Sequence, residues 1–254
     1  MIFETHAHYD DEAFDIDRDE LLEGFPGKGI GYVVNIGSEV GSVDKVLALA
    51  DKYPFVYATV GVHPSSTAEL NEEVFAWIKE KAKHPKNLAI GEIGLDYYWD
   101  TPDRPVQKKW FERQMELAGE LSLPLVIHSR DAANDTYHML KEARADELGA
   151  IIHCFGYGVE QARQYLNMDF YLGIGGVVTF TNGKKLKEVV EYAPLEKLVL
   201  ETDSPYLSPV PHRGKRNTSL NLTYVAQEIA RIKQVDYETV LRVTGENAKR
   251  FYRL

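Results

Sequence analysis

The sequence predicts an α/β protein, a single (β/α)8 TIM barrel spanning residues 1–254 with its site at the C-terminal ends of the strands. Three observations predict it. Eight short apolar runs, too short for helices, recur along the chain. Longer amphipathic stretches lie between them, the alternation expected of strand–helix units. Successive runs are about 28 residues apart, a length that suits one such unit.

In order, the strand-like runs are 2–8, 29–37, 56–63, 88–96, 123–129, 150–155, 170–174 and 198–203. They are rich in Val, Ile, Leu and Tyr and bounded by Gly, Pro or Asp. Runs this continuously apolar suit parallel strands covered on both faces. Helical stretches between them include 42–52, 71–83, 104–121, 132–144 and 159–166, and the tail 219–254 suggests two or three helices that close the barrel. No linker, low-complexity tract or composition shift divides the chain, which predicts one domain. The GIGG run at 173–176 is not followed by a dinucleotide fingerprint, so no nucleotide cofactor is expected there.

Composition narrows the class. Hydrophobic residues at 44% and charged residues at 27% exclude a disordered or collagen-like chain. No stretch approaches the roughly 18 apolar residues of a membrane span, and Glu4 and His6 come too early for a signal peptide. One cysteine excludes an internal disulfide and points to a reducing, cytoplasmic compartment. The net charge of −10 argues against non-specific duplex binding, which rests on Lys and Arg displacing counterions. A small basic mouth around one site stays compatible with it. No membrane association and no obligate protein partner are expected.

Polar residues collect where the strands end. His6 and His8 close the first run, His63 the third, His128 the fifth, His153 the sixth and Asp203 the eighth, while Glu92 lies in the fourth. In such a barrel these ends form the active face. Residues two apart on a strand share a side, so His6 and His8 point together. By the same alternation Val126 pairs with His128, and Ile151 with His153, leaving Cys154 against the helices as a buried thiol. One histidine at a strand end is ordinary; four with two carboxylates in register call for a compensating cation. Imidazole and carboxylate without thiolate suit divalent Mg, Mn or Zn. Six ligands exceed a mononuclear site and fit two ions roughly 3.5–4 Å apart. Glu92, on a middle strand, is the expected bridge.

Basic residues concentrate once, in the segment His212–Asn217, where Arg213, Lys215 and Arg216 are expected to overhang the site with Arg130 and bind an anionic substrate, phosphate first. Lys79, Lys81, Lys83 and Lys86 suggest a solvated helix face, and His84 and His138 surface positions on helices. Tyr97, Tyr98 and Trp99 either pack under a loop or stack on a substrate.

At these residues the sequence resembles the TatD-like metal-dependent deoxyribonucleases, a branch of the amidohydrolase-type barrels. The matching motifs are ETHAHYD at 4–10, VGVHP at 60–64, GEIGLDYYW at 91–99, QKKWFERQMELAGELSLPLVIHSRDA at 107–132, IIHCFG at 151–156, ETDSPYLSPVPHRGKRN at 201–217 and TGENAKRFYRL at 244–254. They run end to end in order. The resemblance implies two divalent ions held by His6, His8, Glu92, His128, His153 and Asp203, and hydrolysis of DNA phosphodiesters, often from the 3′ end. One ion is expected on His6, His8, Glu92 and Asp203, the other on Glu92, His128 and His153. Asp203 is expected to take a proton from the attacking water, His63 to contact substrate or support the shell, and Glu201 to support it from below. Glu4 stands where the family usually has Asp, Gly156 where it has Ser, and NTSL at 217–220 where it has NEP; these departures are expected to bear on substrate fit. The expected reaction is 3′–5′ exonucleolytic cleavage of single-stranded or frayed DNA. The alternative on the same centre is an amide, lactone or aminoacyl-ester hydrolase. A binding protein without turnover is disfavoured by the net charge and the complete ligand set.

Overall fold

The computed structural model describes all residues, Met1–Leu254. Eight parallel strands follow one another around one sheet in sequence order: β1 (Ile2–Ala7), β2 (Ile30–Ile36), β3 (Val56–Val60), β4 (Asn87–Asp96), β5 (Leu125–Arg130), β6 (Ala150–Ile152), β7 (Tyr171–Ile174) and β8 (Leu198–Leu200). The return helices are α1 (Arg18–Gly24), α2 (Val43–Lys52), α3 (Glu72–Lys81), α4 (Arg104–Leu121), α5 (Ala133–Glu142), α6 (Val159–Asn167), α7 (Lys184–Tyr192) and α8 (Leu222–Lys233), and α9 (Tyr237–Tyr252) ends the chain. This is the (β/α)8 barrel expected from the alternation. Strands three, six and eight each stop three residues sooner than their apolar runs suggest.

The core has two layers. A large outer cluster fills the space between sheet and helices; an inner one contains Phe3, Val34, Ala89, Val126, Ile151, Tyr171 and Val199, one residue or more from most strands. Helix α9 adds Ala248, Phe251 and Tyr252 to the inner layer. The Tyr252 hydroxyl donates to the Thr5 carbonyl at 3.0 Å, and its ring stacks on Phe3. The tail therefore plugs the end of the barrel opposite the site.

Alternation from the inner layer explains some site residues directly. Val126 leads to His128, Ile151 to His153 and Val199 to Glu201, each two residues on. In β1 and β4 it does not: Phe3 and His6 are three apart, as are Ala89 and Glu92. Both strands carry a register shift there. Glu4 to Ala7 faces only Val33 to Asn35 of β2, and Ile90 to Ile93 faces only Leu125 to Ile127 of β5. An extra residue in a strand re-aims the side chains that follow it.

The seam between β8 and β1 is the weakest joint, with one isolated bridge, Ala7 to Ser204. Side chains complete it. Glu4 Oε1 accepts the backbone N–H of His6 at 3.1 Å and of Thr202 at 2.9 Å. Glu4 Oε2 accepts the hydroxyls of Thr202 at 2.6 Å and Ser219 at 2.9 Å. Two departures from the family pattern, Glu4 and the NTSL stretch, thus meet at this seam, away from the cavity they were expected to tune. Lys86 also differs from expectation: it lies past the end of α3 and donates to the carbonyls of Pro54 and Val56 at 3.0 Å each. His84 lies in the turn after α3 rather than on it.

Candidate metal centre

Glu92 is the point of convergence. Its Oε2 lies 3.4 Å from His6 Nε2 and 3.8 Å from His8 Nε2. Its Oε1 lies 2.9 Å from His128 Nδ1, 3.6 Å from His153 Nε2 and 3.9 Å from His63 Nε2. Asp203 Oδ1 is 3.4 Å from His8 Nε2, 3.7 Å from His6 Nε2 and 3.9 Å from His153 Nε2. The structure brings all six sequence-predicted metal residues into one cluster and adds His63.

The outer nitrogens of the rings show why the inner ones are free. His8 Nδ1 lies 3.1 Å from the Ile36 carbonyl, which only accepts, so in the neutral ring that nitrogen carries the proton and Nε2 faces the cluster with a lone pair. His128 Nε2 lies 3.0 Å from Asp96 Oδ2 and turns Nδ1 inward. His153 Nδ1 sits 3.1 Å from Glu201 Oε1, a close polar contact, and turns Nε2 inward. Such carboxylate and carbonyl partners orient ligand imidazoles around metals. Meanwhile His6 Nε2 and His8 Nε2 face each other at 3.2 Å. Two neutral imidazoles whose lone pairs meet at that distance repel unless a proton or cation lies between them. The donor set fits divalent cations, and groups such as His6–His8–Asp203 and His63–Glu92–His128 place their ligand atoms within 4.8 Å of one another.

The charge state points the same way. Burial opposes protonation of His8, yet hydrogen bonding and charge from Asp203, with Glu92 behind it, push its pKa up to about 9. His153 rises to about 10 against its burial, under Glu201 and Glu92. Burial pushes Glu92 up, but the surrounding histidines outweigh it and hold the carboxyl well below its usual range. His63 goes the other way, down to about 3, through burial and the neighbouring His128. The buried carboxylates thus demand positive charge at the centre, from protons or from bound cations.

Two expectations about orientation are corrected. Cys154 does not lie against the helices. β6 ends at Ile152, so strand alternation no longer applies; Cys154 has φ 45° and is half-buried in the cavity wall. Its N–H donates to Glu201 Oε1 at 2.6 Å. Asp203 does not end β8 but sits three residues beyond it, at φ 58°. Its N–H donates to the His6 carbonyl at 2.9 Å, and its own carbonyl accepts from Tyr206 at 2.8 Å. A turn aims the carboxylate, not the strand. Gly173 in the GIGG run makes room for Glu201: a Cβ there would fall 2.2 Å from Glu201 Oε2.

The cavity over the cluster has a volume of about 1070 Å³. His63 and Arg130 line it; Arg213, Lys215 and Arg216 do not. Arg216 is occupied elsewhere, donating to Asp17 Oδ1 at 2.7 Å, Asp17 Oδ2 at 2.5 Å and the Ala13 carbonyl at 2.7 Å. Arg213 lies 4.0 Å over the Phe180 ring. Of the expected basic overhang, Arg216 is thus a strap that ties the loop after β8 to Asp17. Sequence reasoning also missed two residues. Asp96 had a signal, since it is four residues from Glu92 on one strand and so shares its face. Lys45, on α2 at the rim, had none.

Comparisons with known proteins identify the family. The family model described as TatD related DNase matches residues 3–253. The chain belongs to the TatD family. A Bacillus subtilis (strain 168) relative, "Uncharacterized metal-dependent hydrolase YabD", is 43% identical over 254 residues, covering 100% of both chains. A relative from Rahnella sp. (strain Y9602), named "3'-5' ssDNA/RNA exonuclease TatD", is 31% identical over 100% of this chain and 98% of its own. The crystal structure of YJJV, a TatD homologue from Escherichia coli K12, superposes with a TM-score of 0.94 at 25% identity, covering 100% of this chain and 98% of that one. This TatD family protein is therefore a metal-dependent hydrolase. No helix in it is long and apolar enough to cross a membrane.

Proposed function

We propose that this TatD family hydrolase cleaves DNA phosphodiesters as a 3′–5′ exonuclease on single-stranded or frayed ends, using two divalent ions of the Mg, Mn or Zn type. The observation that carries the reading is Glu92, one oxygen toward His6 and His8 and the other toward His128 and His153. A carboxylate so placed suits a bridge between two ions. His6, His8, Glu92 and Asp203 would hold one; Glu92, His128 and His153 the other. Ions bound there supply Lewis acidity for the attacking water and the leaving oxygen. Asp203, the half-buried carboxylate at the cavity, takes the proton of the attacking water. His63 borders the second group and contacts substrate or supports the shell, and Arg130 meets a phosphate oxygen. Arg213 and Lys215 can serve only a longer strand that runs past the rim, and Arg216 holds their loop. The name of the Rahnella relative supports a nucleic-acid substrate, and the lone thiol supports a cytoplasmic location. One domain over residues 1–254 is the simplest organisation.

A second reading has its own observation. Beyond the cluster the cavity carries Asp10, Asp11, Glu12, Glu39 and Asp131 against Lys45 and Arg130. That surplus of carboxylates suits a neutral or cationic substrate, such as an aminoacyl ester, more readily than a polyanion. Degradation of a 5′-labelled single-stranded oligonucleotide, run beside an ester, lactone and amide panel with each metal, separates the two. Turnover of the panel without loss of the oligonucleotide overturns the nuclease reading.

A further inference from the structure

The cluster of ligands leaves one wall of its cavity unexplained. Trp99 lines the opening and is 64% exposed, and beside it Tyr98 is 55% exposed. Large aromatics this open at the mouth of a site mark a contact surface. Their position is set by the backbone. Asp96 Oδ1 accepts the N–H of Tyr98 and of Trp99, each at 3.0 Å, while Oδ2 of the same carboxylate lies 3.0 Å from His128 Nε2. One buried carboxylate thus ties the aromatic pair to a member of the metal cluster. The two rings meet edge to face with centroids 5.2 Å apart, and the Arg130 guanidinium lies 3.8 Å over Tyr98. Arg130 occupies one face of Tyr98, and of the two rings only Trp99 lines the cavity.

Charge makes this ring matter. A strand held by phosphate pairing alone would find Lys45 and Arg130 in the lining and a ring of carboxylates around them. Stacking needs no charge, works for every base, and is open only to a base freed from a duplex. We propose that Trp99 is the stacking platform for an unpaired nucleobase next to the bond cleaved, and that this ring, more than basic surface, selects single-stranded ends. The inference rests on the phosphodiesterase reading above. Asp96 then acts as a positioning residue, holding platform and cluster in one register.

The test is a cycle in which ring and base are removed in turn. Wild type, Trp99→Ala and Trp99→Phe are compared for KM and kcat, at saturating divalent ion, on a 5′-labelled oligo-dT and on the same strand with its last two residues replaced by abasic tetrahydrofuran. Melting curves establish that each variant folds. The expected result is a KM raised about 10-fold or more by Trp99→Ala on oligo-dT, most of it restored in Trp99→Phe. Loss of the ring and loss of the bases should together cost no more than either alone, because both remove one contact. Multiplied losses, or an unchanged KM in Trp99→Ala, overturn the proposal. Quenching of tryptophan fluorescence by dTMP, in wild type but not in Trp99→Phe, reads the platform without catalysis. Quenching without cleavage of either strand would sink the phosphodiesterase reading and leave the base site standing. Neither quenching nor cleavage overturns both.

Discussion

Asp203 and Asp96 separate two ways a carboxylate can serve one centre. Asp203 faces the cavity, so its replacement tests chemistry. Asp203→Asn keeps the shape and a carbonyl ligand but cannot take a proton. Turnover should fall on the order of 10² to 10⁴, with the melting temperature and at least one bound ion retained, as measured on one preparation. Turnover near wild type would return Asp203 to its role in the turn before Tyr206. Asp96 is buried and lies 3.0 Å from His128 Nε2, so its replacement tests how that ring is held. Asp96→Asn should weaken the affinity of the second ion by about 10- to 100-fold, seen by calorimetric metal titration, with a smaller effect on the first. Among the cations, Arg130 lines the cavity while Arg216 is paired with Asp17. Arg130→Ala should therefore reduce the salt slope of oligonucleotide binding by roughly one unit or less, and Arg216→Ala should leave it unchanged. Equal slopes in both variants would count against a phosphate contact at Arg130.

At the level of elements, the seam between β8 and β1 carries the group proposed to hold the first ion. His6 and His8 come from one side and Asp203 from the other, with a single bridge between the strands. Glu4 supplies what the missing ladder does not, by accepting from both donors of Thr202 and from Ser219 across the joint, besides the N–H of His6 on its own strand. Burial pushes its pKa up to about 7, so this acceptor is maintained against a desolvation penalty. Glu4→Ala leaves buried donors unpaired, at about 1–3 kcal/mol each before relaxation. The expected outcome is a clear loss of stability in urea unfolding and weaker binding at the His6–His8–Asp203 group, with Glu4→Gln milder because it keeps one acceptor oxygen. A variant as stable as wild type would mean the seam holds without it.

For the molecule as a whole, the centre makes activity depend on divalent ions. Exhaustive chelation should abolish hydrolysis, and re-addition of the ion should restore it. Ligand nitrogens must be free of protons to bind a cation, so protons and metal compete. His8 and His153 hold protons up to about 9 and about 10, so the proton competes with metal already above the ordinary histidine range, and lowering the pH to about 6 and below should reduce the rate even with excess metal present. A rate flat to about pH 4.5 under saturating metal would argue against histidine ligation.

How much of this was legible in the sequence follows from the range of the forces involved. Alternation of apolar runs and helical stretches is written locally, since a strand buried on both faces must be apolar along its length, and that pattern determined the barrel. The chemistry was legible too: histidines and carboxylates at the ends of apolar runs need a compensating cation wherever the chain takes them. Strand parity carried His128 and His153 correctly because β5 and the approach to His153 keep their alternation. It had no hold on the register shifts that bring His6 and Glu92 inward, or on the positive φ values that turn Cys154 and Asp203, because these arise from pairing with neighbouring strands far away in sequence. The fate of the basic loop was likewise a tertiary decision. Arg216 is as charged as any free cation in the sequence, and only the fold sets Asp17 beside it, so that an expected substrate contact becomes a strap.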